Sequence, residues 1–177
     1  KLLLNDAKEA LELINNEVYK GKEITSAILK RAKAKVEFQE FSLVNLIENV
    51  YKLVMISCSR SGLEKARDIK FNIVSTDRVV NVFASEALLQ DVFYNLIDNA
   101  YDAIQDKAML MSQSNPLFQG EIDVLLRKEN HIIIVQVKDN GIGLTKENHR
   151  KLFIPYFTTK ATSNKGSGLG LCIIRDF

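Results

Sequence analysis

The amino-terminal segment carries an apolar or small residue at alternating steps of three and four. This 3.5-residue period is typical of a helix packed in a bundle, so the pattern predicts one long helix over residues 4–32. Such a helix either covers the core of its own domain or, because the next segment offers no partner, packs against a second copy or a neighbouring helix. The seam positions are Leu4, Ala7, Leu11, Ile14, Val18, Gly21, Thr25, Ile28 and Ala32.

The rest of the chain alternates between helical and extended patterns. A helical spacing covers residues 46–57, and a longer helix is expected from an N-cap at Ser85 to about Lys107. Two strand pairs are predicted, one turning at residues 76–78 and one at residues 128–130. Together these elements predict an α+β fold, in which helices lie on one face of a mixed, mainly antiparallel sheet. The predicted strands are residues 38–44, 69–75, 79–83, 121–127 and 132–137.

Composition and charge exclude several classes of protein. The 177 residues are 46% hydrophobic and 26% charged, which is the balance of a globular protein. A net charge of +2 and the lack of a dense Lys/Arg run argue against nucleic acid as a partner. No apolar stretch approaches the ~18–20 residues of a membrane span. Cys58 and Cys172 lack metal-ligand spacing, so a reducing compartment, the cytoplasm by default, is expected.

The helix after Ser85 carries a polar stripe beside its apolar side. Asn95 and Asn99 lie one turn apart, about 6 Å along the axis. A solvated face explains such a stripe, although Lys, Glu or Gln would serve it better than Asn. The alternative is that the amides offer oxygen to a hard cation and N–H donors to phosphate. The apolar side comprises Leu89, Val92, Phe93, Leu96, Ala100 and Ala103, and the stripe comprises Asp91, Asn95, Asn99, Asp102 and Asp106.

Two glycine-rich segments offer further candidate chemistry. Asp139 ends a predicted strand and is followed by a turn with Gly141 and Gly143, where a ligand can approach the backbone closely. An ordinary Asp-Asn-Gly turn explains the same residues. Residues 166–170 hold three glycines before a helical run, and they fit either a phosphate cradle or a flexible linker. Residues 158–165, polar and basic, are expected to form a mobile lid.

In this order, four segments resemble the nucleotide-binding boxes of the histidine-kinase ATP-binding domain. Residues 95–103 resemble the N box, 139–143 the G1 box, 153–160 the F box and 166–171 the G2 box. The resemblance covers the chain from about Phe38 to its end. It implies a Bergerat-type sandwich over residues 36–177, truncated at its carboxyl end. More weakly, residues 1–35 resemble the second helix of the dimerisation and phosphotransfer hairpin.

The resemblance also implies ATP and Mg²⁺ as cofactors. It makes Asn99 the metal ligand, Asp139 the acceptor for the adenine exocyclic amine, and Asn95 and Lys160 the catalytic residues near the phosphates. An acidic acceptor favours adenine because guanine presents a carbonyl at the corresponding position. The implied nucleotide-binding residues are Asn95, Asn99, Asp139, Gly141, Ile142, Gly143, Phe157, Thr158, Thr159, Lys160, Gly166, Ser167, Gly168, Leu169 and Gly170.

The sequence departs from the family pattern at several positions. Related ATPases carry a water-activating Glu where this chain has Asn95, which cannot act as a general base, so hydrolysis as the main task is disfavoured. Asp102 stands where many histidine kinases have Lys. His131 and His149 fall in a strand turn and at a polar helix start, so the phosphoacceptor histidine is expected outside this chain.

The resemblance therefore implies a protein histidine kinase module of two-component signalling. It would transfer the γ-phosphoryl of ATP to a histidine, dimerise through its first helix and act on a response regulator in the cytoplasm, either free or joined to a membrane segment outside this chain. The chain begins with Lys1 and stops at Phe177 within an apolar run, which is typical of a fragment. Two alternatives stay open: a non-catalytic ATP-gated dimerisation clamp, and a Ser/Thr-directed kinase on the same fold.

Overall fold

The computed structural model divides the chain into two units. One unit is Val36–Lys151, and the other combines Lys1–Lys35 with Leu152–Phe177. The division into a helical segment at 1–35 and one catalytic domain at 36–177 stays a prediction. The structure describes residues 8, 10, 11, 14, 15, 17, 18, 21, 22, 25, 37–60, 69–76, 80–112, 114, 115, 117–155, 157, 158, 168 and 170–175.

The described strands of the unit Val36–Lys151 form two small sheets. They are β1 (Gln39–Ser42), β2 (Lys70–Ser75), β3 (Asn81–Ala84), β4 (Glu121–Glu129) and β5 (Ile132–Asp139). Strands β1 and β3 pair antiparallel. In the other sheet β4 is central, parallel to β2 and antiparallel to β5. This second sheet is thus mixed, and two of the three described strand pairs are antiparallel.

One of the two predicted strand pairs is confirmed and the other is wrong. Strands β4 and β5 form a hairpin with Glu129 opposite Ile132, and Asn130 adopts φ 55° in the turn, a conformation that Asn tolerates. The runs before and after residues 76–78 are strands, but they do not pair, since β2 pairs with β4 and β3 with β1. Short β-branched runs indicate strands without specifying their partners.

Two long helices cover the inner face of the sheets. They are α1 (Leu43–Arg60) and α2 (Glu86–Met111); the short helices are α3 (Lys146–Lys151) and, in the other unit, α4 (Gly170–Arg175). Burial alternates along β4, where Val124 is fully buried and Leu125 is exposed, so one face of the sheet meets the helices. This arrangement confirms the α+β fold with helices on one face. The largest fully buried side chains are Ile47, Val50, Val54, Ile97, Ile104, Ile122, Val124 and Leu126.

Helix α2 begins where the sequence predicts, but its buried face coincides only in part with the predicted apolar side. Ser85 occupies the N-cap position, although its hydroxyl makes no capping hydrogen bond, and the helix runs four residues beyond Lys107 to Met111. Because α2 packs against both α1 and the sheet, its buried face is centred on Ile97 and Ile104. The predicted Leu89, Val92, Leu96 and Ala103 are only half-buried, and the buried residues are Phe93, Ile97, Ala100, Tyr101, Ile104 and Ala108.

The described residues between positions 8 and 25 are helical, in agreement with the predicted first helix. Within it, the Thr25 hydroxyl donates to the Gly21 carbonyl at 2.8 Å. The seam residues Leu11, Ile14 and Val18 are exposed by 59%, 60% and 65%. Their apolar side chains are therefore available to a partner. None of the described helices is both long and apolar enough to span a membrane.

Candidate functional site

The two predicted asparagines lie on consecutive turns of α2 with half-buried side chains. The Asn95 amide Nδ2 donates to the backbone carbonyl of Asp91 at 2.9 Å, which fixes this side chain along the helix. Its Oδ1 remains the acceptor atom that it offers to a ligand. Asn99 stands one turn further along, at the helical rise of about 6 Å per four residues. Helix α2 thus presents two carboxamide side chains, one on each of two consecutive turns.

The candidate acidic residue lies at the end of β5. Asp139 is the last residue of the strand and is exposed. Its Oδ1 accepts a hydrogen bond from the Gly141 backbone N–H at 2.8 Å. An aspartate bonded to the backbone two residues on forms an Asx turn, which orients the carboxylate. Asp139 is therefore held in one direction while its second oxygen can accept from a ligand.

The turn after Asp139 is seated directly on α2. The Ile142 backbone N–H donates to the Ala103 carbonyl at 2.9 Å. A Cβ added at Gly141 would lie only 2.6–2.8 Å from Ala103 atoms, two of them in the helix backbone. Gly143 adopts φ +72°, a left-handed conformation that glycine adopts without strain. Ala103 lies one turn beyond Asn99, so the fold brings the predicted acidic turn and the predicted asparagine stripe together on one helix.

Two residues that the sequence reasoning missed hold this turn in place. Lys107 Nζ donates to the Asn140 carbonyl at 2.6 Å and lies 5.1 Å from the centroid of the Phe118 ring. The Asn140 side chain bridges to the start of β4: its Oδ1 accepts from the Glu121 N–H at 2.9 Å, and its Nδ2 donates to the Gln119 carbonyl at 3.0 Å. Asn is a common turn residue because its side chain bonds backbone groups. This preference of Asn for turns is the sequence signal that could have identified Asn140.

Two ionisable side chains near this region have shifted pKa values. Burial, and then the neighbouring Cys58, raise the pKa of Tyr101 to about 12. A hydrogen bond to Glu121 at 2.8 Å raises the pKa of the exposed Lys70. Both groups keep their proton at neutral pH, so neither supplies a general base there.

The remaining predicted site residues fall in the other unit or outside the described residues. The Phe157 N–H donates to the Ile154 carbonyl at 3.1 Å, and Phe157 and Thr158 are half-buried. Gly168 adopts φ +66°, and Gly170 is the first residue of α4. Thr159, Lys160, Gly166, Ser167 and Leu169 lie outside the described residues, as does most of the predicted lid.

Part of the chain matches the profile of a known protein family. Residues 84–177 match the profile of the family described as histidine kinase-, DNA gyrase B- and HSP90-like ATPase. Histidine kinase P4 of Formosa agariphila is 26% identical over 99% of this chain but only 12% of its own length. The sensor histidine kinase ZraS of Escherichia coli O157:H7 is 26% identical over 97% of this chain and 33% of its own length. The chain thus spans a third or less of these relatives.

Solved structures show the same fold. The catalytic domain of histidine kinase ThkA, in a nucleotide-free form, is 28% identical and superposes with a TM-score of 0.58, covering 79% of this chain and 80% of that one. ThkA in complex with the response regulator protein TrrA is 26% identical, with a TM-score of 0.56 over 83% of this chain and 39% of that one. The fold of this chain therefore agrees with that of histidine kinase catalytic domains.

Proposed function

Because residues 84–177, more than half of the chain, match that profile, the chain belongs to the histidine kinase-, DNA gyrase B- and HSP90-like ATPase family, and we propose that it is the Mg·ATP-binding module of a sensor histidine kinase. One observation carries the proposal. The Asp139 turn is bonded to α2 at Ala103, one turn beyond Asn99. In this proposal the acid that reads the base, Asp139, and the amide that faces the phosphates, Asn99, are supported by the same helix, α2.

Asp139 reads the adenine base in this proposal. Its Oδ1 already accepts from the Gly141 N–H at 2.8 Å, and a carboxylate can accept further bonds at its other lone pairs. The exocyclic amine of adenine would supply such a donor. Guanine places a carbonyl there, which leaves the acid facing another acceptor without a hydrogen bond, and an unpaired polar group costs about 1–3 kcal/mol.

Asn99 and Asn95 serve the phosphate end. Among the described residues, no group of three or more His, Cys, Asp and Glu side chains is placed to hold a metal ion. The half-buried Asn99 carboxamide oxygen nevertheless suits Mg²⁺, which prefers oxygen ligands and takes the rest from water and phosphate. When bound, the ion would neutralise phosphate charge. Lys160, implied by the family resemblance to act on the phosphates, belongs to the same proposal.

The reaction we propose is phosphoryl transfer rather than hydrolysis. The bond between the γ-phosphorus and the β,γ-bridging oxygen breaks, a phosphorus–nitrogen bond forms to a histidine outside this chain, and ADP leaves. Asn95 has no basic group to activate water, and positioning and charge neutralisation supply most of the catalysis in such transfers. In this proposal Asp139 and Asn99 bind the two ends of the nucleotide.

The proposed partners are a second copy of the chain and a response regulator. The exposed Leu11, Ile14 and Val18 offer an apolar seam to a second helix. The complex of ThkA with the response regulator TrrA supports the second partner, since ThkA is similar to this chain. We place the module on the cytoplasmic side, where such regulators act.

Calorimetric titration with a non-hydrolysable ATP analogue and Mg²⁺ tests the base-reading assignment. Asp139→Asn should weaken ATP binding at least about tenfold, because it replaces a charged acceptor by an amide that can present a donor. Glu48→Gln is the matched control, since it removes one carboxylate from an exposed position of α1, outside α2 and the turn. Equal affinity for ATP and GTP analogues, or unchanged binding by Asp139→Asn, would contradict the proposal.

A transfer assay separates the kinase from a non-catalytic clamp. Radiolabelled ATP should label a longer chain that carries an upstream helix with a histidine, and the label should be stable in alkali and lost in acid. Nucleotide binding without such label would favour the clamp. Label that survives acid would favour a Ser/Thr-directed kinase.

A further inference from the structure

The turn after β5 depends on one peptide unit, the one between Asn140 and Gly141. Its carbonyl accepts from Lys107 Nζ at 2.6 Å, and its N–H donates to Asp139 Oδ1 at 2.8 Å. A trans peptide is planar, and its C=O and N–H point in opposite directions. The two hydrogen bonds, one at each end of the peptide unit, therefore fix the orientation of its plane. Lys107 sets the direction from which the Gly141 N–H meets the carboxylate.

The other hydrogen bonds of the turn hold the residues on either side of this peptide unit rather than the unit itself. The side chain and the N–H of Asn140 are bonded to the backbone of Gln119 and Glu121, and the Ile142 N–H is bonded to the Ala103 carbonyl. Residue 141 is glycine, whose φ range accepts the rotated peptide at little cost. A rotated unit would direct its N–H away from Asp139. Of the two hydrogen bonds that this peptide unit makes, the Lys107 bond is the one that ties it to α2.

Lys107 is itself well held for this task. Its side chain is half-buried on α2, one turn beyond Ala103, where the turn is seated. The ammonium group lies 5.1 Å from the centroid of the Phe118 ring, within the range of a cation–π contact. Hydrogen bonds from a charged donor are stronger than neutral ones. A fixed donor on a rigid helix can thus determine the orientation of the carbonyl that accepts from it.

We propose that Lys107 is a positioning residue for adenine recognition, which it supports by holding the 140–141 peptide so that Asp139 faces the exocyclic amine. The inference rests on the proposed function, because it deepens the role given to Asp139. Lys107 acts through the peptide unit and not on the base. Loss of the Lys107 side chain should therefore weaken the contact with the exocyclic amine more than the contacts with any other part of the nucleotide.

The experiment compares two nucleotides on the full 177-residue chain with Mg²⁺ by calorimetry. The probes are ATP and purine riboside triphosphate, which lacks the 6-amino group and is otherwise the same. Lys107→Met keeps most of the aliphatic stem and removes the charge and the donors, and Lys107→Arg restores both. Lys128→Met, at an exposed position near the β4–β5 turn, is the matched control for the loss of one lysine. Thermal unfolding of each variant reports its stability.

Lys107→Met should lose about tenfold in affinity for ATP, the equivalent of about one hydrogen bond, and less than about twofold for purine riboside triphosphate. Lys107→Arg should recover most of the preference for ATP, and Lys128→Met should keep all of it. Equal losses for the two nucleotides, or no loss, would overturn the inference. If Lys107→Met does not fold, Lys107→Leu, which likewise lacks both the charge and the donors, replaces it, and an unchanged preference there is equally decisive.

The wild-type chain separates this inference from the proposal on which it rests. If it does not bind ATP, or binds both nucleotides equally well, the reading of adenine by Asp139 fails, and the role of Lys107 fails with it. If the wild-type chain prefers ATP and Lys107→Met keeps that preference, Asp139 retains its role and only the inference about Lys107 is wrong.

Discussion

Replacing Gly141 with alanine tests how tightly the turn is seated on α2. The added Cβ would lie 2.6 Å from the carbonyl carbon of Ala103, 2.7 Å from its Cβ and 2.8 Å from its oxygen. Non-bonded carbon atoms prefer separations of about 3.5–4.0 Å. Two of the three atoms belong to the helix backbone and cannot rotate aside. The turn must move by roughly 1 Å to restore that spacing, and this movement breaks the hydrogen bond from Ile142 to Ala103.

The size of the effect follows from these two contributions. Overpacking of this kind costs about 1–3 kcal/mol, and the lost backbone hydrogen bond about 1 kcal/mol more. The free energy of unfolding should therefore fall by about 2–4 kcal/mol. At about 3 °C for each kcal/mol in a chain of this size, Tm should fall by roughly 6–12 °C.

Thermal unfolding followed by circular dichroism, together with ATP titration, measures both consequences. Gly141→Ala should unfold earlier and bind ATP more weakly. Gly21→Ala is the control: outside the adjacent turns of its own helix, no atom of a described residue lies within 4 Å of its added Cβ. Because Gly21 is helical, the change should be neutral or stabilise by up to about 1 kcal/mol. A Gly141→Ala protein with wild-type Tm and wild-type affinity would refute the seating of the turn on Ala103.

Two further predictions concern α2. Asn99→Ala should lower the affinity for Mg·ATP at least about tenfold and that for adenosine less than about twofold, because adenosine has no phosphates to bridge; equal losses by calorimetry would assign Asn99 a structural role. Burial raises the pKa of Tyr101 from 10.0 to about 12, so its stabilising contribution is complete below about pH 10 and is lost as the pH rises to about 12. Urea unfolding across that window should show the wild type losing stability relative to Tyr101→Phe, whereas a pH-independent difference would contradict the shift.

The long periodic and alternating segments could be predicted from the sequence. Helix α2 extends over 26 residues, so its helical period is repeated often enough to be recognised and to place Asn95 and Asn99 on consecutive turns. The β4–β5 hairpin was equally accessible, because its strands are local in sequence and joined by a short turn. A short sequence pattern predicts structure reliably where the contacts that form the structure join residues close in sequence.

The predictions that failed, and the residue that was missed, depend on contacts between residues distant in sequence. Strands β2 and β3 are close in sequence, but their partners β4 and β1 are distant, and no local pattern encodes a distant partner. Lys107 bonds to a carbonyl 33 residues away. In the sequence it stands at the end of the predicted helix, where a lysine is common because it suits the helix dipole. Its role becomes visible only when the fold places β5 beside α2.

The geometry of the candidate site follows from the packing of two glycines on adjacent residues of α2. Gly141 lies against Ala103, and the buried Gly120 lies so close to the Ile104 side chain that any Cβ would overlap it. Gly120 thereby brings the start of β4 close to the helix, and the flanking Gln119 and Glu121 backbone groups hold the Asn140 side chain. The glycines are 21 residues apart in sequence, yet each supports the same turn from a different side. A side chain at Gly120 would displace β4 and, through Asn140, the carboxylate of Asp139, although Gly120 itself lies outside the predicted nucleotide-binding residues.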